Sequence, residues 1–125
     1  MGRPTKSRCI CSLPKVRKVC PHGLRSEEEI QLTYDEYEVL RLLDYQQLTQ
    51  EECSRKMDIS RPTVTRIYNE ARRKMAEMLV TGKSIVIGGG DVSVCERMKP
   101  ECVHEVNCCH RNKNAGAVEM INLLT

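Results

Sequence analysis

The sequence predicts a mainly α fold: a helix-turn-helix within a three-helix core, a short strand after it, and a cysteine-rich carboxyl-terminal tail. Two stretches, residues 32–47 and 49–81, carry apolar residues at helical spacing. The second contains a sharp turn signal, typical of two helices that cross closely. With no Trp, no Phe and four Tyr, the core is expected to be aliphatic and small.

The first predicted helix lies in LTYDEYEVLRLLDYQQ. Thr33 and Glu36 have the spacing of a capping box, and Leu32 is placed to pack on Tyr37. The expected buried stripe is Tyr37, Leu40 and Leu43, with Val39 alongside. Residues 26–31, rich in Glu, are predicted to be a linker or a first helical turn. This helix would support the helix-turn-helix from behind.

The helix-turn-helix is predicted in TQEECSRKMDISRPTVTRIYN, residues 49–69. Thr49 and Glu52 form a second capping box, and Asp58 can take the left-handed conformation that ends a helix. Ser60 caps the next helix, with Pro62 in its first turn. Apolar or small residues mark the buried sides of the two helices: Cys53, Ser54, Met57, Ile59, Val64 and Ile67.

The last helix continues well beyond residue 69. Its apolar stripe is expected to run to an end at Thr81-Gly82: Val64, Ile67, Tyr68, Ala71, Met75, Met78 and Leu79. KSIVIGGG then predicts a strand followed by a hinge or boundary. The expected organisation is a basic, cysteine-containing arm (1–26), a helix-turn-helix domain (27–90) and a Cys/His-rich tail (91–125), whose expected binding partners follow from the charge and cysteine patterns below.

Charge is sorted along the chain, although the net charge is only +3. Residues 1–26 hold seven Lys or Arg and no acid, residues 27–59 three bases and ten acids, and residues 60–83 six bases and two acids. Basic segments separated by an acidic one are typical of a protein with a phosphate-facing side. We therefore expect double-stranded DNA as the partner.

Side chains that read base edges or bind phosphate occupy the exposed side of the last helix and the basic arm. The predicted DNA-contacting residues are Arg3, Lys6, Arg8, Ser60, Arg61, Thr63, Thr65, Arg66 and Asn69. The helix-turn-helix could instead be an ordinary helical hairpin with a solvated polar face. The basic arm could instead be a tail that only increases solubility. Pairing into a homodimer is also expected, through the last helix and the strand after it, because one recognition helix rarely supplies enough specificity.

Eight cysteines indicate metal binding. Cys53 falls at a core position and is expected to be a buried apolar residue. The predicted ligands are Cys95, Cys102, Cys108 and Cys109, with Cys9, Cys11 and Cys20 as second candidates. Soft thiolates select zinc, cuprous copper or an iron–sulfur cluster, and the spacing leaves zinc and iron–sulfur open. A centre shared between the two groups would join the arm to the tail.

No catalytic constellation occurs, so an enzyme is not expected. The glycines of KSIVIGGG are not followed by a phosphate-binding GK[ST]. No apolar run approaches the ~18 residues of a membrane span, and no signal peptide is apparent, which favours the cytoplasm. The alternative function is a metal-trafficking or iron–sulfur scaffold protein whose helical domain binds a protein partner.

The chain resembles an uncharacterised prokaryotic family, domain of unknown function 134 or uncharacterised protein family 0251. The resemblance is carried by MGRPTK, by PHG and by residues 32–90. It implies a helix-turn-helix similar to region 4 of RNA polymerase sigma factors and a role in transcription regulation. It also favours iron–sulfur over zinc. Asp58 stands where Gly is common, and Cys53-Ser54 where small alanines are common. The tail after residue 90 lies outside the resemblance.

Overall fold

The computed structural model describes residues 8–23 and 26–95. This part of the chain is mainly helical, as predicted, and it also contains two small sheets, where the sequence predicted one short strand. Its elements, in chain order, are β1 (Arg8–Ile10), β2 (Lys18–Val19), β3 (Glu29–Leu32), α1 (Tyr34–Leu40), α2 (Gln50–Met57), α3 (Arg61–Thr81), β4 (Ser84–Ile87) and β5 (Val92–Val94). No helix among the described residues is long and apolar enough to cross a membrane.

Helix α1 begins at the predicted capping box. The Thr33 side chain accepts from the Glu36 amide, and a Glu36 carboxylate oxygen accepts from the Thr33 amide at 2.9 Å. A π-helical turn, Arg41–Tyr45, continues the helix.

The buried face of α1 differs from the predicted stripe. Val39 is fully buried, as predicted, and so is Leu42, which was not predicted, whereas Tyr37, Leu40 and Leu43 are only half-buried. The displacement arises because two acidic residues, Asp35 and Glu38, also lie on the buried side, where each meets an arginine. A pattern of apolar residues alone assigns such positions to solvent.

Helices α2 and α3 are joined by the predicted tight turn. The second capping box, Thr49 with Glu52, is confirmed. Asp58 ends α2 in the left-handed conformation at φ 60°. Ser60 then caps α3 by accepting from the Thr63 amide.

These two helices and α1 enclose the larger core. Its buried residues are Ile10, Val39, Leu42, Cys53, Met57, Val64 and Ile67. The predicted apolar sides of α2 and α3 therefore face inward, as expected, with Ile59 half-buried at the turn. Ile10 brings β1 into the same core.

Helix α3 runs 21 residues and ends at Gly82, whose left-handed backbone lets its amide donate to Met78. Ala71 and Met78 pack against apolar residues of the larger sheet, forming a second core. The prediction that Leu79 is buried is wrong, because 79% of it is exposed. Leu79 directly follows Met78, so its side chain is rotated by about 100° around the helix axis and points away from the sheet that Met78 contacts.

The larger sheet has the order β2-β4-β3, with β4 antiparallel to β2 and parallel to β3. The prediction of a linker or helical turn over residues 26–31 is wrong for β3. In that strand Ile30 and Leu32 are buried and Glu29 and Gln31 exposed, the period-two alternation of a half-buried strand. In the sequence, the run of glutamates at 27–29 made this alternation hard to recognise.

The smaller sheet pairs β1 with β5 in parallel. The glycines predicted as a hinge form a hydrogen-bonded connection: Gly88 donates to Leu32 at 3.0 Å and Gly89 accepts from Tyr34 at 3.0 Å. A Cβ at Gly89 would lie 2.5 Å from the side-chain amide nitrogen (Nε2) of Gln31. The described parts of the arm (1–26), the helix-turn-helix domain (27–90) and the tail (91–125) are therefore joined by strand pairing: β2 pairs with β4, and β1 pairs with β5.

Candidate nucleic-acid interface

The exposed face of α3 contains four of the nine predicted DNA-contacting residues. Each helical residue advances about 100° around the axis. Val64, Ile67 and Ala71 therefore share one side of α3, and they are buried. The opposite side, which we call the α3 face, consists of the exposed residues Arg61, Thr65, Arg66, Asn69 and Arg72.

Positive charge near the start of α3 is not offset by ion pairs with acids in the described part of the chain. Within residues 8–23 and 26–95, neither Arg61 nor Arg66 forms an ion pair with an acid, and the first turn of α3 contains no acidic residue. Arg73, in contrast, bonds Glu70 at 2.6 Å and Glu77 at 3.3 Å. The hydrogen bond from Arg73 lowers the pKa of Glu70. The helix dipole adds positive potential at the same end.

Three predicted contact residues also have structural roles. The hydroxyls of Ser60 and Thr63 lie 2.8 Å apart and belong to the cap of α3. The Thr65 hydroxyl lies 2.8 Å from Gln50 Oε1, at the start of α2, to which it donates. This bond fixes the first turn of α2 against the α3 face, and it adds Gln50, which sequence reasoning missed. In the sequence, Gln50 could have been placed there from its position directly after Thr49, the cap of α2.

Arg72 was also missed. Its guanidinium lies over the Tyr68 ring, 5.3 Å from the centroid, and the Tyr68 hydroxyl donates to Asp44 at 2.7 Å. That hydrogen bond raises the pKa of Tyr68. Arg72 is thus held in place at the far end of the α3 face. The signal was its spacing of seven residues from Thr65, which repeats after two turns.

The basic arm is only partly described. Arg8 Nη1 donates to Asp35 Oδ2 at 2.8 Å, and the Asp35 side chain is 7% exposed. Arg8 therefore anchors the arm to α1. Arg3 and Lys6 lie outside the described residues.

Some of the charge sorting in the sequence reflects internal ion pairs. Besides Arg8 with Asp35, Lys74 bonds Glu36 at 2.7 Å and Arg41 bonds Glu38 at 2.9 Å. The acids of these pairs belong to the acidic segment and are buried. The acidic segment is therefore not simply a solvated surface, because these acids form internal ion pairs.

The structure brings together only some of the predicted metal ligands. Cys9, Cys11 and Cys95 pack together, whereas Cys20 is exposed outside this group. Cys102, Cys108 and Cys109 lie outside the described residues. No group of three or more Cys, His, Asp or Glu within the described ranges is arranged to hold a metal ion.

Cys53 is fully buried, as predicted, beside Met57. Burial raises the pKa of its thiol to about 12. Cys53 is therefore a core residue.

Comparison with known proteins identifies the family. The family model described as "Protein of unknown function DUF134" matches residues 1–95. A UPF0251 protein of Desulfitobacterium hafniense (strain Y51) is 41% identical over 118 residues, which cover 93% of each chain. A UPF0251 protein of Prosthecochloris aestuarii (strain DSM 271 / SK 413) is 43% identical over 123 residues, covering 94% of this chain and 79% of the relative. No solved structure matches the chain. The chain therefore belongs to the DUF134 family, whose curated relatives carry the name UPF0251 protein.

Proposed function

We propose that this protein is a sequence-specific, double-stranded DNA-binding regulator of transcription, and that α2 and α3 form a DNA-binding helix-turn-helix. In this proposal α3 enters the major groove and α2 lies across the phosphate backbone. The fold would be similar to region 4 of sigma factors.

The observation that carries the proposal is the uncompensated charge on the α3 face. Arg61 and Arg66 are exposed without an acidic partner in the described residues, while Arg73 on the same helix is paired with two acids. An arginine held by acids is poorly suited to bind phosphate, whereas an arginine exposed between Thr65 and Asn69 can bond base edges. Side chains that can bond base edges and positive charge that is free to bind phosphate therefore lie on one surface.

Arg72 and Gln50 extend this surface. Both are fixed by side-chain contacts to the protein, Arg72 on Tyr68 and Gln50 on Thr65. Preorganised side chains lose less conformational freedom on binding. We assign Gln50 and Arg72 to contacts with the DNA backbone that set the register of α3 in the groove.

The proposal is tested by fluorescence anisotropy with labelled duplex from a randomised pool, titrated at several salt concentrations. Each phosphate contact should contribute about 0.9 to the negative slope of log affinity against log salt. We expect a slope of several units and enrichment of one sequence on repeated selection. A metal-trafficking or scaffold protein that binds only a protein partner would show neither the slope nor the enrichment.

A further inference from the structure

A groove lies between the arm and the side of α1 that carries Tyr37 and Leu40. Its volume is about 700 Å³, and small-molecule sites typically measure roughly 300–1,000 Å³. Apolar residues of the second core form its floor: Leu32, Ile85 and Ile87 of the larger sheet, with Met75 of α3. We call this groove the α1 groove. Its size and its apolar floor are those of a site for a small molecule.

The arm supplies the outer wall of the α1 groove. Leu13, Val16 and Val19 line the groove, and they are 53%, 52% and 36% exposed. Val19 pairs with Ile85 in the larger sheet, so strand pairing holds this wall in place. Exposed apolar side chains grouped along a concave surface are typical of ligand-binding grooves. The wall therefore offers apolar contacts that the fold itself leaves open to solvent.

The π-helical turn that follows α1 also lines the α1 groove. Arg41, Asp44 and Tyr45 of this turn belong to the lining. Such turns are rare, and they occur frequently at functional sites. Tyr45 is 72% exposed. An exposed apolar wall and a π-helical turn, which are independent features of the chain, therefore meet at one groove.

Two polar groups of the α1 groove have no partner within residues 8–23 and 26–95. The Lys15 ammonium forms no ion pair there, and the Tyr37 hydroxyl forms no hydrogen bond there. Arg41, in contrast, donates through two nitrogens to the two carboxylate oxygens of Glu38, each at 2.9 Å. Burial raises the pKa of Tyr37, so its hydroxyl keeps its proton and can donate. The groove therefore offers one uncompensated positive charge and one hydroxyl donor.

We propose that the α1 groove binds a small amphipathic anion, a molecule with a hydrocarbon body and one carboxylate. The hydrocarbon body would cover the apolar floor and wall, because removing their surface from water is favourable. The carboxylate would pair with Lys15, and Tyr37 supplies a further donor within the groove. A single uncompensated lysine suits one negative charge, whereas phosphate groups are usually bound by clusters of arginine.

One hydrogen bond connects the α1 groove to the α3 face. Asp44, in the lining, accepts from the Tyr68 hydroxyl at 2.7 Å, and the Arg72 guanidinium lies over the Tyr68 ring. A ligand that contacts the π-helical turn would therefore act on the support of Arg72. Its binding is expected to change affinity for a selected duplex by about 5- to 150-fold, the usual range for coupled sites. This coupling rests on the proposed function, whereas binding of the anion does not.

The test is isothermal titration calorimetry of the full-length protein with straight-chain carboxylates from hexanoate to dodecanoate, each below its micelle-forming concentration. We expect one-to-one binding with a negative heat-capacity change, which marks the burial of apolar surface. Affinity should rise roughly fourfold for each added methylene. Octanol has the hydrocarbon body of octanoate without its charge, and it should bind about two- to fivefold more weakly than octanoate.

Substitutions in the wall test the location of the site without removing buried residues. Val16→Gln should weaken dodecanoate binding about tenfold, and Lys15→Gln should weaken it about two- to fivefold. Two matched controls should leave the titration unchanged. Val80→Gln changes an apolar residue that is 83% exposed and does not line the groove. Arg17→Gln removes a positive charge from the same segment as Lys15, at a position outside the lining.

The outcomes separate the site, its ligand and its coupling to DNA. Absence of saturable binding, affinity that does not depend on chain length, or unchanged binding by Val16→Gln would overturn the site. Equal binding of octanol and octanoate would overturn the assignment of an anion. Loss of dodecanoate binding as the protein dimerises, followed by sedimentation, would assign the groove to a second copy of the chain and overturn the proposal.

Duplex anisotropy with and without saturating dodecanoate tests the coupling. A change of affinity within the expected range would support it, and an unchanged affinity would overturn it. Saturable dodecanoate binding by a protein that binds no duplex would refute the proposed function and leave the site standing.

Discussion

Replacing Arg66 by Ala is expected to weaken binding to a selected duplex strongly. Arg66 is exposed on the α3 face, and it has no acidic partner in the described residues that would compete with DNA. Removing an arginine that bonds a base edge costs about 1–3 kcal/mol in the free energy of binding. Because ~1.4 kcal/mol of binding free energy corresponds to a tenfold change in the dissociation constant, this constant should rise roughly 5- to 150-fold. The fold should be unaffected, because substitutions at exposed positions without structural partners usually change stability by less than about 0.5 kcal/mol.

Arg73→Ala is the matched control for this variant. Arg73 lies on the same helix seven residues further on, so both variants remove the same charge from nearly the same side. Its guanidinium is already bonded to Glu70 and Glu77, so its removal should affect DNA binding far less. Anisotropy titrations on the selected duplex and on a scrambled one, with far-UV circular dichroism as a folding check, measure both variants. Equal reductions of affinity in the two variants would refute the assignment of the α3 face, because only bulk charge would then matter.

Three further predictions concern the arm, the core and association. Deleting residues 1–7 should lower affinity for selected and scrambled duplexes alike and reduce the salt slope by about 0.9 for each phosphate that the shortened protein no longer neutralises; an unchanged slope would make the arm a solubilising tail. Burial raises the pKa of Cys53 from its ordinary value of 9.0 to about 12, so the folded protein keeps a proton that the unfolded chain releases. The free energy of unfolding should therefore fall by about 1.4 kcal/mol per pH unit above pH ~9, and urea titrations should show this slope reduced in Cys53→Ala. We further propose homodimer pairing through the end of α3, where Leu79 and Val80 are 79% and 83% exposed; Leu79→Glu should then shift sedimentation to the monomer, and a wild-type protein that is already monomeric would exclude the pairing.

Local signals in the sequence predicted the helices well. The capping boxes at Thr49 and Thr33 and the left-handed end at Asp58 depend on residues three or four positions apart, and the structure contains all three. The exposure of Arg61 and Arg66 followed from the same helical spacing. Such features are decided within one or two turns of the chain.

Long-range pairings were not predictable in the same way. Arg8 contacts Asp35, and the buried carboxylates of α1 depend on partners that only the fold brings near. Strand β4 is the middle strand of its sheet, so both its edges are occupied and it is unavailable for the strand pairing expected in a dimer. The sequence suggested that the two cysteine groups share a site. Only the parallel pairing of β1 with β5 shows which members meet.

The most direct test of the central claim is to map the contact surface on the protein. Titration of the ¹⁵N-labelled full chain with the selected duplex should perturb amide signals most strongly at Gln50 and along the α3 face. The same titration with Arg66→Ala should lack the strongest of these perturbations and should require more duplex to reach saturation. Perturbations confined to β2 and the segment before it, with α3 unchanged, would contradict the account.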